Sequence, residues 1–106
     1  MKTKCNITIS DNVGYEDMKL SSYLFSVRTS LNNILKAFPS FKKYKNPNEK
    51  VKNEILLRVD SPRASFVFSI YDWKESYYKN DDTIDFHVAG QKKYESYIRA
   101  ITDLYL

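Results

Sequence analysis

The chain is poor in cysteine, glycine and proline: its 106 residues include one cysteine, two glycines and three prolines. A single cysteine excludes an internal disulfide and a zinc site built from several cysteines. So few glycines and prolines argue against long flexible linkers, and no apolar run approaches the roughly 18 residues of a membrane span. We therefore expect one folded domain over residues 1–106, located in the cytoplasm, with no signal peptide and no membrane contact.

Charge is distributed unevenly along the chain, although the net charge is only +4. Residues 36–52 contain six lysines and one glutamate, whereas residues 72–85 contain five acids and two lysines. A basic segment of this kind favours a polyanion or an acidic protein surface as its partner. The alternative, an exposed connector rich in Lys and Asn, stays open.

Hydrophobic periodicity predicts an α+β fold in the order β-α-β-β-β-α. Alternating apolar residues indicate half-buried strands, and apolar residues at steps of three or four indicate helices. Three consecutive strands with short connections imply an antiparallel sheet with two helices on one face. The predicted strands are residues 4–10, 53–60, 66–73 and 83–89, and the predicted helices run from about 19–22 to 37–38 and from 91 to 106.

The first predicted helix is based on a single apolar series. Its members are spaced by three or four residues and are Leu20, Leu24, Val27, Leu31, Ile34, Leu35 and Phe38. Ser21 or Ser22 is the expected N-cap, and Pro39 is the expected stop. One stripe of this helix should therefore lie on the sheet.

The segment 65–90 holds seven of the sixteen aromatic residues. Strand alternation leaves Tyr71 and Trp73 on the face that points away from the core. Tyrosine and tryptophan dominate binding hot spots and also stack on nucleic-acid bases, but the same rings could simply cover that second face. The expected protein-binding residues are Tyr71, Trp73, Tyr77, Tyr78, Asp81 and Asp82.

Candidate catalytic groups are few. Cys5 falls on the core-facing side of the first strand, where the role of a small hydrophobic residue is expected. His87 shares a strand face with Asp85, which could orient its imidazole. The sequence offers no nucleophile or second metal ligand to join them, so we expect no catalytic residue, no metal site and no cofactor.

Asp60, Asp72 and Lys74 form a further catalytic alternative. Their pattern resembles the D…(D/E)xK motif of PD-(D/E)xK nucleases, in which two acids hold Mg²⁺ and a lysine assists the water or the leaving phosphate. The resemblance implies a metal-dependent nuclease with these three residues in its active site. Strand alternation would place Asp72 and Lys74 on one face. A solvated hairpin end is the other interpretation.

From Leu31 onward, the predicted order α-β-β-β-α resembles the double-stranded-RNA-binding domain. The loop 61–64, Ser-Pro-Arg-Ala, keeps the proline of that family's Gly-Pro-x-His loop and offers Arg63. Lys92 and Lys93 stand at the start of the last helix, where the family has a lysine cluster. The resemblance implies that Arg63 enters the minor groove of RNA and that the two lysines contact phosphates.

A second resemblance covers the aromatic segment itself. Residues 70–75 (IYDWKE) and 86–90 (FHVAG), separated by a polar spacer, are similar to a pattern in small accessory proteins encoded by phages. This resemblance implies an early, non-enzymatic binding role, such as the occlusion of a host nucleoprotein by anti-CRISPR proteins. It implies no particular site.

These patterns predict a non-catalytic binding protein that engages a nucleic acid or a host nucleoprotein through a basic surface. A purely protein-directed inhibitor that uses the acidic, aromatic loop 72–85 is the alternative, beside the nuclease. The expected nucleic-acid contacts are Lys42, Lys43, Lys45, Arg63, Lys92 and Lys93. Their joint action predicts an affinity that falls steeply with salt.

Overall fold

Residues 2–4, 7–38, 43–44, 51, 53–75 and 77–106 are described by the computed structural model of the chain. The strands are β1 (Lys2–Lys4), β2 (Ile7–Ser10), β3 (Ser22–Thr29), β4 (Lys43–Tyr44), β5 (Glu54–Asp60), β6 (Ser65–Tyr71) and β7 (Ile84–Gly90), and the helices are α1 (Leu31–Ala37) and α2 (Glu95–Tyr105), with 3₁₀ helices at Tyr15–Met18 and Lys92–Tyr94. The described strands form one sheet in the order β1-β2-β5-β6-β7-β3, and β4 also pairs with β5. Neighbouring strands are antiparallel. The predicted α+β class is confirmed.

Both helices lie on one face of the sheet, which we call the helix face. Leu31 and Ile34 of α1 are buried in a cluster with the inward residues of the three central strands, and Ile98 of α2 joins the same cluster. The strand residues in this cluster are Ile55, Leu57, Val59, Phe66, Phe68, Ile70, Phe86 and Val88. These residues alternate along β5, β6 and β7, as expected for strands with one face in the core.

The first predicted helix is wrong over its N-terminal half. Ser22–Thr29 forms strand β3, which pairs with β7, and α1 begins only at Leu31. A β-bulge between Tyr23 and Phe25 lets Leu24 as well as Phe25 pack against the core. Because the bulge interrupts strict alternation, the apolar spacing of this strand imitates that of a helix.

The cap of α1 also differs from the prediction. Ser30, and not Ser21 or Ser22, precedes the helix, and its Oγ accepts a hydrogen bond from the backbone N–H of Asn33 at 3.2 Å. The helix is consequently about two turns long. The expected stop at Pro39 lies outside the described residues.

The first predicted strand, residues 4–10, is a hairpin of two strands. Lys4 of β1 pairs with Ile7 of β2, and β2 continues the sheet by pairing with β5. Ile9 is fully buried, and Ile7 packs against the same core, so the predicted inward side of β2 is correct. Cys5 lies outside the described residues.

The opposite face of the sheet, which we call the second face, is partly covered by the segment between β2 and β3. Val13 packs against Leu56 of β5 and Val67 of β6. Arg58 holds the same segment down, because its Nε donates a hydrogen bond to the Asn12 carbonyl at 2.9 Å. The segment between β2 and β3 therefore covers the second face over β5 and β6. The aromatic side chains of β3 and β7 lie beside the covered area.

Helix α2 approaches the sheet closely at Gly90, the last residue of β7. A Cβ atom on Gly90 would lie 2.6 Å from Ile98 Cδ1 and 3.4 Å from Phe68 Cβ. A larger residue at position 90 would therefore force the Ile98 side chain to shift.

Candidate functional site

Four aromatic rings meet on the second face. Tyr23, His87 and Tyr71 belong to the adjacent strands β3, β7 and β6, and Trp73 follows the end of β6. The ring centroids of Tyr23 and Tyr71 lie 4.6 and 5.5 Å from that of His87. Trp73 stacks on His87 at 6.0 Å and meets Tyr71 edge-on at 6.3 Å. We call these four residues the four-ring patch; His87 is at its centre.

Strand register produces this arrangement. Tyr71 and His87 are directly opposed on β6 and β7, and Ser26 of β3 opposes His87 on its other side. Directly opposed residues point to the same face, so their side chains pack together. Tyr23 is 54% exposed, and the other three residues of the patch are half-buried. The patch therefore presents aromatic surface to solvent.

The backbone beside the patch adopts an unusual conformation. Lys74, which follows Trp73, has a φ of 55°. The left-handed region costs a non-glycine residue about 1–2 kcal/mol, and residues in such conformations cluster at functional sites. The Lys74 ammonium lies 5.8 Å from the centroid of the Trp73 ring, near the outer limit of a cation–π contact.

A groove of about 260 Å³ lies next to the patch. Its aromatic lining comes from three of the four rings, those of Tyr23, Tyr71 and Trp73. Glu54, which opposes Tyr71 across the β5–β6 pair, supplies a carboxylate. Ser69 and Ala89, a directly opposed pair on β6 and β7, also line the groove and are buried. The groove thus combines aromatic walls with one acidic group.

His87 and Tyr71 are both uncharged at neutral pH. Burial lowers the pKa of His87 from 6.5, against the opposing influence of Asp85 and Glu75. Burial raises the pKa of Tyr71 above 10.0, and the Glu54 carboxylate adds to the rise. Nearby carboxylates therefore act electrostatically on both rings.

Asp85, which the sequence suggested as the partner of His87, forms an ion pair with Arg28 of β3. Arg28 Nη1 donates to Asp85 Oδ1 at 3.3 Å, and both side chains are well exposed. His87 is in contact with the other three rings of the patch. The surroundings of His87 are therefore those of a packed aromatic residue.

Asp72 and Tyr78 belong to a buried hydrogen-bond network. Asp72 is fully buried, and its Oδ2 accepts hydrogen bonds from the backbone N–H of Asn53 at 3.1 Å and from Tyr78 Oη at 2.5 Å. The ring of Tyr78 meets Phe86 edge-on at 6.2 Å. Burial and the hydrogen bond to Asp72 raise the pKa of Tyr78. Tyr78 therefore fastens the β6–β7 loop to the residue before β5.

The other expected protein-binding residues of the 72–85 segment lie on the loop between β6 and β7. The exposed members are Tyr77, Asp81 and Asp82. The loop is attached to the first turn of α1, because the Asn80 carbonyl accepts a hydrogen bond from the Asn32 N–H at 2.9 Å. The structure thus places these residues beside the helix face, whereas Tyr71 and Trp73 lie on the second face.

Asp60, Asp72 and Lys74 do not come together. Asp60 opposes Ser65 at one end of the β5–β6 hairpin, whereas Asp72 follows Tyr71 at the other end. At about 3.3 Å per residue, the two carboxylates lie roughly 20 Å apart, too far to share one Mg²⁺. Among the residues described, no group of three His, Cys, Asp or Glu side chains is placed to hold a metal ion.

Three of the predicted nucleic-acid contacts lie at one end of the sheet. Arg63 is exposed in the turn between β5 and β6, and Lys92 and Lys93 are exposed in the 3₁₀ helix before α2. That 3₁₀ helix packs on β6 close to the turn, because Tyr94 stacks on Phe66 with 5.1 Å between ring centroids. We call Arg63, Lys92 and Lys93 the basic end.

The lysines of the 36–52 segment are not part of the basic end as far as the structure describes them. The backbone of Lys43 pairs with Ile55 near the start of β5, about 17 Å along the strand from Asp60. Lys42 and Lys45 lie outside the described residues, and so does the side chain of Lys43.

Sequence reasoning missed Tyr23 and Glu54 as site residues. Tyr23 was assigned to a helix, although the alternation of Phe25 and Val27 with the polar residues between and after them was a signal for a strand. Glu54 carried a weaker signal, as an acidic residue at the start of β5 on its outward side. Its position in the groove depends on its register with Tyr71.

Comparisons with known proteins gave no relative. No family model matches the chain, and neither the curated proteins nor the solved structures contain a match. Within the described part of the chain, no helix is long and apolar enough to cross a membrane. The four-ring patch and the basic end are therefore the candidate functional surfaces.

Proposed function

We propose that this protein is a non-catalytic binding module that docks a partner protein on the four-ring patch. The observation that carries the proposal is the meeting of four rings, three from adjacent strands and one from just after β6, on the face opposite to α1 and α2. Tyrosine and tryptophan offer large, rigid contact areas at low entropic cost, and they dominate binding hot spots. The left-handed backbone at Lys74, beside Trp73, further supports a functional role.

The charges around the patch favour a protein over a nucleic acid as its partner. Glu54 lines the groove and Glu75 acts electrostatically on His87, whereas Asp85 is paired with Arg28. Carboxylates repel the phosphate backbone of a nucleic acid. A basic surface on a partner protein would complement them and would speed its association.

Capture experiments with matched variants test this proposal. Tyr23→Ala and Tyr71→Ala should each weaken partner retention from extracts of the natural host by roughly 30-fold, because truncation of a hot-spot residue costs about 2 kcal/mol or more. Tyr97→Ala is the control, since Tyr97 is 47% exposed but lies on α2. Treating the extract with nuclease should leave retention unchanged. Equal retention by the wild-type protein and all three variants would contradict the proposal.

A second candidate function is the binding of a polyanion at the basic end. The observation that favours it is the convergence of Arg63 with Lys92 and Lys93, which are distant in sequence. Intramolecular contacts partly occupy the two lysines: Lys92 pairs with Glu95 at 2.8 Å, and the Lys93 ammonium lies 5.1 Å from the Tyr94 ring. This candidate keeps the RNA contacts implied by the resemblance to double-stranded-RNA-binding domains.

Binding of double-stranded RNA at several salt concentrations tests this second candidate. Three contacted phosphates would give a slope of about −2 to −3 in a plot of log affinity against log salt. Arg63→Glu combined with Lys93→Glu should abolish the binding, whereas reversal of Lys79, an exposed lysine in the loop at the other end of β6, should not. Salt-independent binding would exclude the electrostatic contact.

Either surface is compatible with the accessory role implied by the resemblance to phage-encoded proteins. A small protein that occludes a host nucleoprotein needs one surface that binds the host protein tightly and another that does not repel the nucleic acid. The four-ring patch supports the first requirement, and the basic end supports the second. If the captured partner carries bound nucleic acid, the four-ring patch and the basic end can both act in the same complex.

A further inference from the structure

We propose that the outer edge of β3 is an interaction surface on which a second copy of this chain pairs, β3 against β3, as an antiparallel strand. The two copies form one continuous sheet around a two-fold axis at Val27. This inference goes beyond the proposed function, because it concerns the edge of the sheet and does not depend on the four-ring patch.

The two ends of the sheet differ in their protection against strand pairing. The path of the described strands ends at β1 and at β3. Strand β1 has three residues, two of which are lysines, and short edge strands with lysines resist edge-to-edge association. Strand β3 has eight residues and contains neither lysine nor proline. The edge at β3 therefore lacks the protection that β1 has.

The outer backbone groups of β3 are open to a new strand. In the described part of the chain, β3 pairs with β7 alone, and no backbone hydrogen bond outside that pair involves residues 22–29. Alternate residues of an antiparallel strand direct both their N–H and their C=O groups to the same side. Every second residue of β3 therefore presents a donor and an acceptor to an added strand, the mode of recognition called β-augmentation.

The bulge in β3 determines which part of the strand can pair. It lies between Tyr23 and Phe25, whereas the register with β7 is uninterrupted from Phe25 to Thr29. A bulge twists an edge away from a flat partner, so residues 25–29 are the part that accepts a strand. Val27 is the middle residue of this regular segment. Pairing of the whole segment with its own copy therefore places the two-fold axis at Val27.

The side chains of the regular segment are compatible with this self-pairing. With the axis at Val27, that residue opposes itself, Phe25 opposes Thr29, and Ser26 opposes Arg28. Val27 is half-buried and packs on the core, so the contact buries apolar surface that is still exposed at the edge. No like charges are directly opposed in this register. The segment is thus complementary to itself, as a two-fold interface requires.

The four-ring patch stays open in this dimer. Tyr23 lies on the other side of the bulge from the paired segment. A two-fold axis perpendicular to the sheet keeps the second face of both copies on one side. The dimer therefore presents two four-ring patches in the same direction, and a partner that engages both gains avidity.

Sedimentation velocity of the purified wild-type protein tests the self-association. One short strand pair makes an interface of less than standard size, so we expect a dissociation constant of roughly 10–100 μM. The molar mass should rise from that of one chain to that of two as the concentration passes through this range. A monomer at every concentration, up to well above this range, would overturn the proposal.

Opposite charges at Ser26, which is exposed, test the register. Ser26→Glu faces Arg28 of the second copy and should strengthen the dimer, whereas Ser26→Lys should weaken it. Each change should be about fivefold, because the contact occurs twice in a dimer. Both variants lose the hydrogen bond between Ser26 Oγ and Tyr23 Oη, so the difference between them reports the charge.

The same two substitutions at Ser65 are the matched control. Ser65 is the exposed first residue of β6, and β7 lies between β6 and β3. Its variants carry the same net charges and should leave the dissociation constant unchanged. Circular dichroism of all four variants confirms that the fold is kept. Equal effects at the two positions, or effects of one sign from both Ser26 variants, would contradict the pairing around Val27.

Hydrogen exchange locates the interface on the backbone. Amides of alternate residues in the segment 25–29 should become more protected as the protein concentration increases, whereas those of β1 should not. Protection of β1 instead would overturn the proposal. A protein that stays monomeric, but whose β3 amides are protected by a captured partner, would show that the edge accepts a strand of a different protein, and this result would also overturn the self-pairing.

Discussion

The helix face and the second face of the sheet are built from the same strands but expose their aromatic side chains to very different extents. On β6, Phe68 and Ile70 point to the helix face and are at most 2% exposed, whereas Tyr71, next in the chain, is half-buried on the second face. On β3, Phe25 is 7% exposed and Tyr23 is 54% exposed. Aromatic content therefore does not by itself mark a binding surface. The distinguishing feature is whether α1 and α2 cover the ring.

The largest effect that would test this comparison comes from truncations on β6. Phe68→Ala should lower the free energy of unfolding by about 3–5 kcal/mol, because it leaves a cavity in the core. Tyr71→Ala should cost roughly 1 kcal/mol, because part of its side chain already faces solvent. Urea denaturation of both variants measures the difference. Equal costs would mean that the four-ring patch is a second core and not a surface for a partner.

Substitutions of the two glycines compare a closely packed position with an open one, and their expected effects are smaller. Gly90→Ala should destabilise the protein by about 1–3 kcal/mol, because the new methyl group would lie 2.6 Å from Ile98 Cδ1. Gly14→Ala is the matched control, since no atom lies within 4 Å of its added Cβ. Its effect should stay within about 0.5 kcal/mol. Thermal unfolding of the two variants gives the result; similar losses would contradict the close packing of α2 at Gly90.

The smallest expected effect is a pH dependence centred on His87. Its pKa in the folded protein is lowered from 6.5 by burial, so the unfolded chain binds the proton more readily. The stability due to this group is therefore fully present above pH 6.5 and is lost as the pH falls below that value toward the folded pKa. Protonation should also quench the emission of Trp73, which stacks on the imidazole.

Fluorescence titration checks this pH dependence. The midpoint of the Trp73 transition should lie below 6.5 in the wild-type protein, and His87→Gln should remove the transition. A midpoint above that value would mean that Asp85 and Glu75 outweigh burial at His87. The second face would then be more hydrated and more acidic in character than the packing of the four rings indicates.

Much of the fold could be predicted from the sequence because β5, β6, β7 and α2 follow simple periodicities. Ile55, Leu57 and Val59 alternate without interruption, and the register of the sheet keeps them on one face. Strand β3 could not be recognised in the same way. Its bulge packs both Leu24 and Phe25 against the core, and this shift produces the three- and four-residue spacing of a helix.

Only part of the four-ring patch and its groove could be predicted from the sequence, because some of their residues meet through pairing between strands. Tyr71 and Trp73 were recognised from alternation within one strand. Tyr23 and Glu54 join them through pairing between strands that are distant in sequence, which no local pattern encodes. Asp72 illustrates the opposite error, because its acidic chemistry suggested a metal ligand, whereas Asn53 and Tyr78 use its carboxylate to hold the β6–β7 loop.

Side-chain resonances of the protein in complex with its captured partner test the central claim most directly. Addition of the partner should shift the aromatic signals of Tyr23, Tyr71, Trp73 and His87, which form the four-ring patch, and leave that of Tyr97 on α2 unchanged. This is the outcome we predict. Shifts confined to α2 and to the basic end, with the four rings unaffected, would contradict the assignment of the second face as the binding surface.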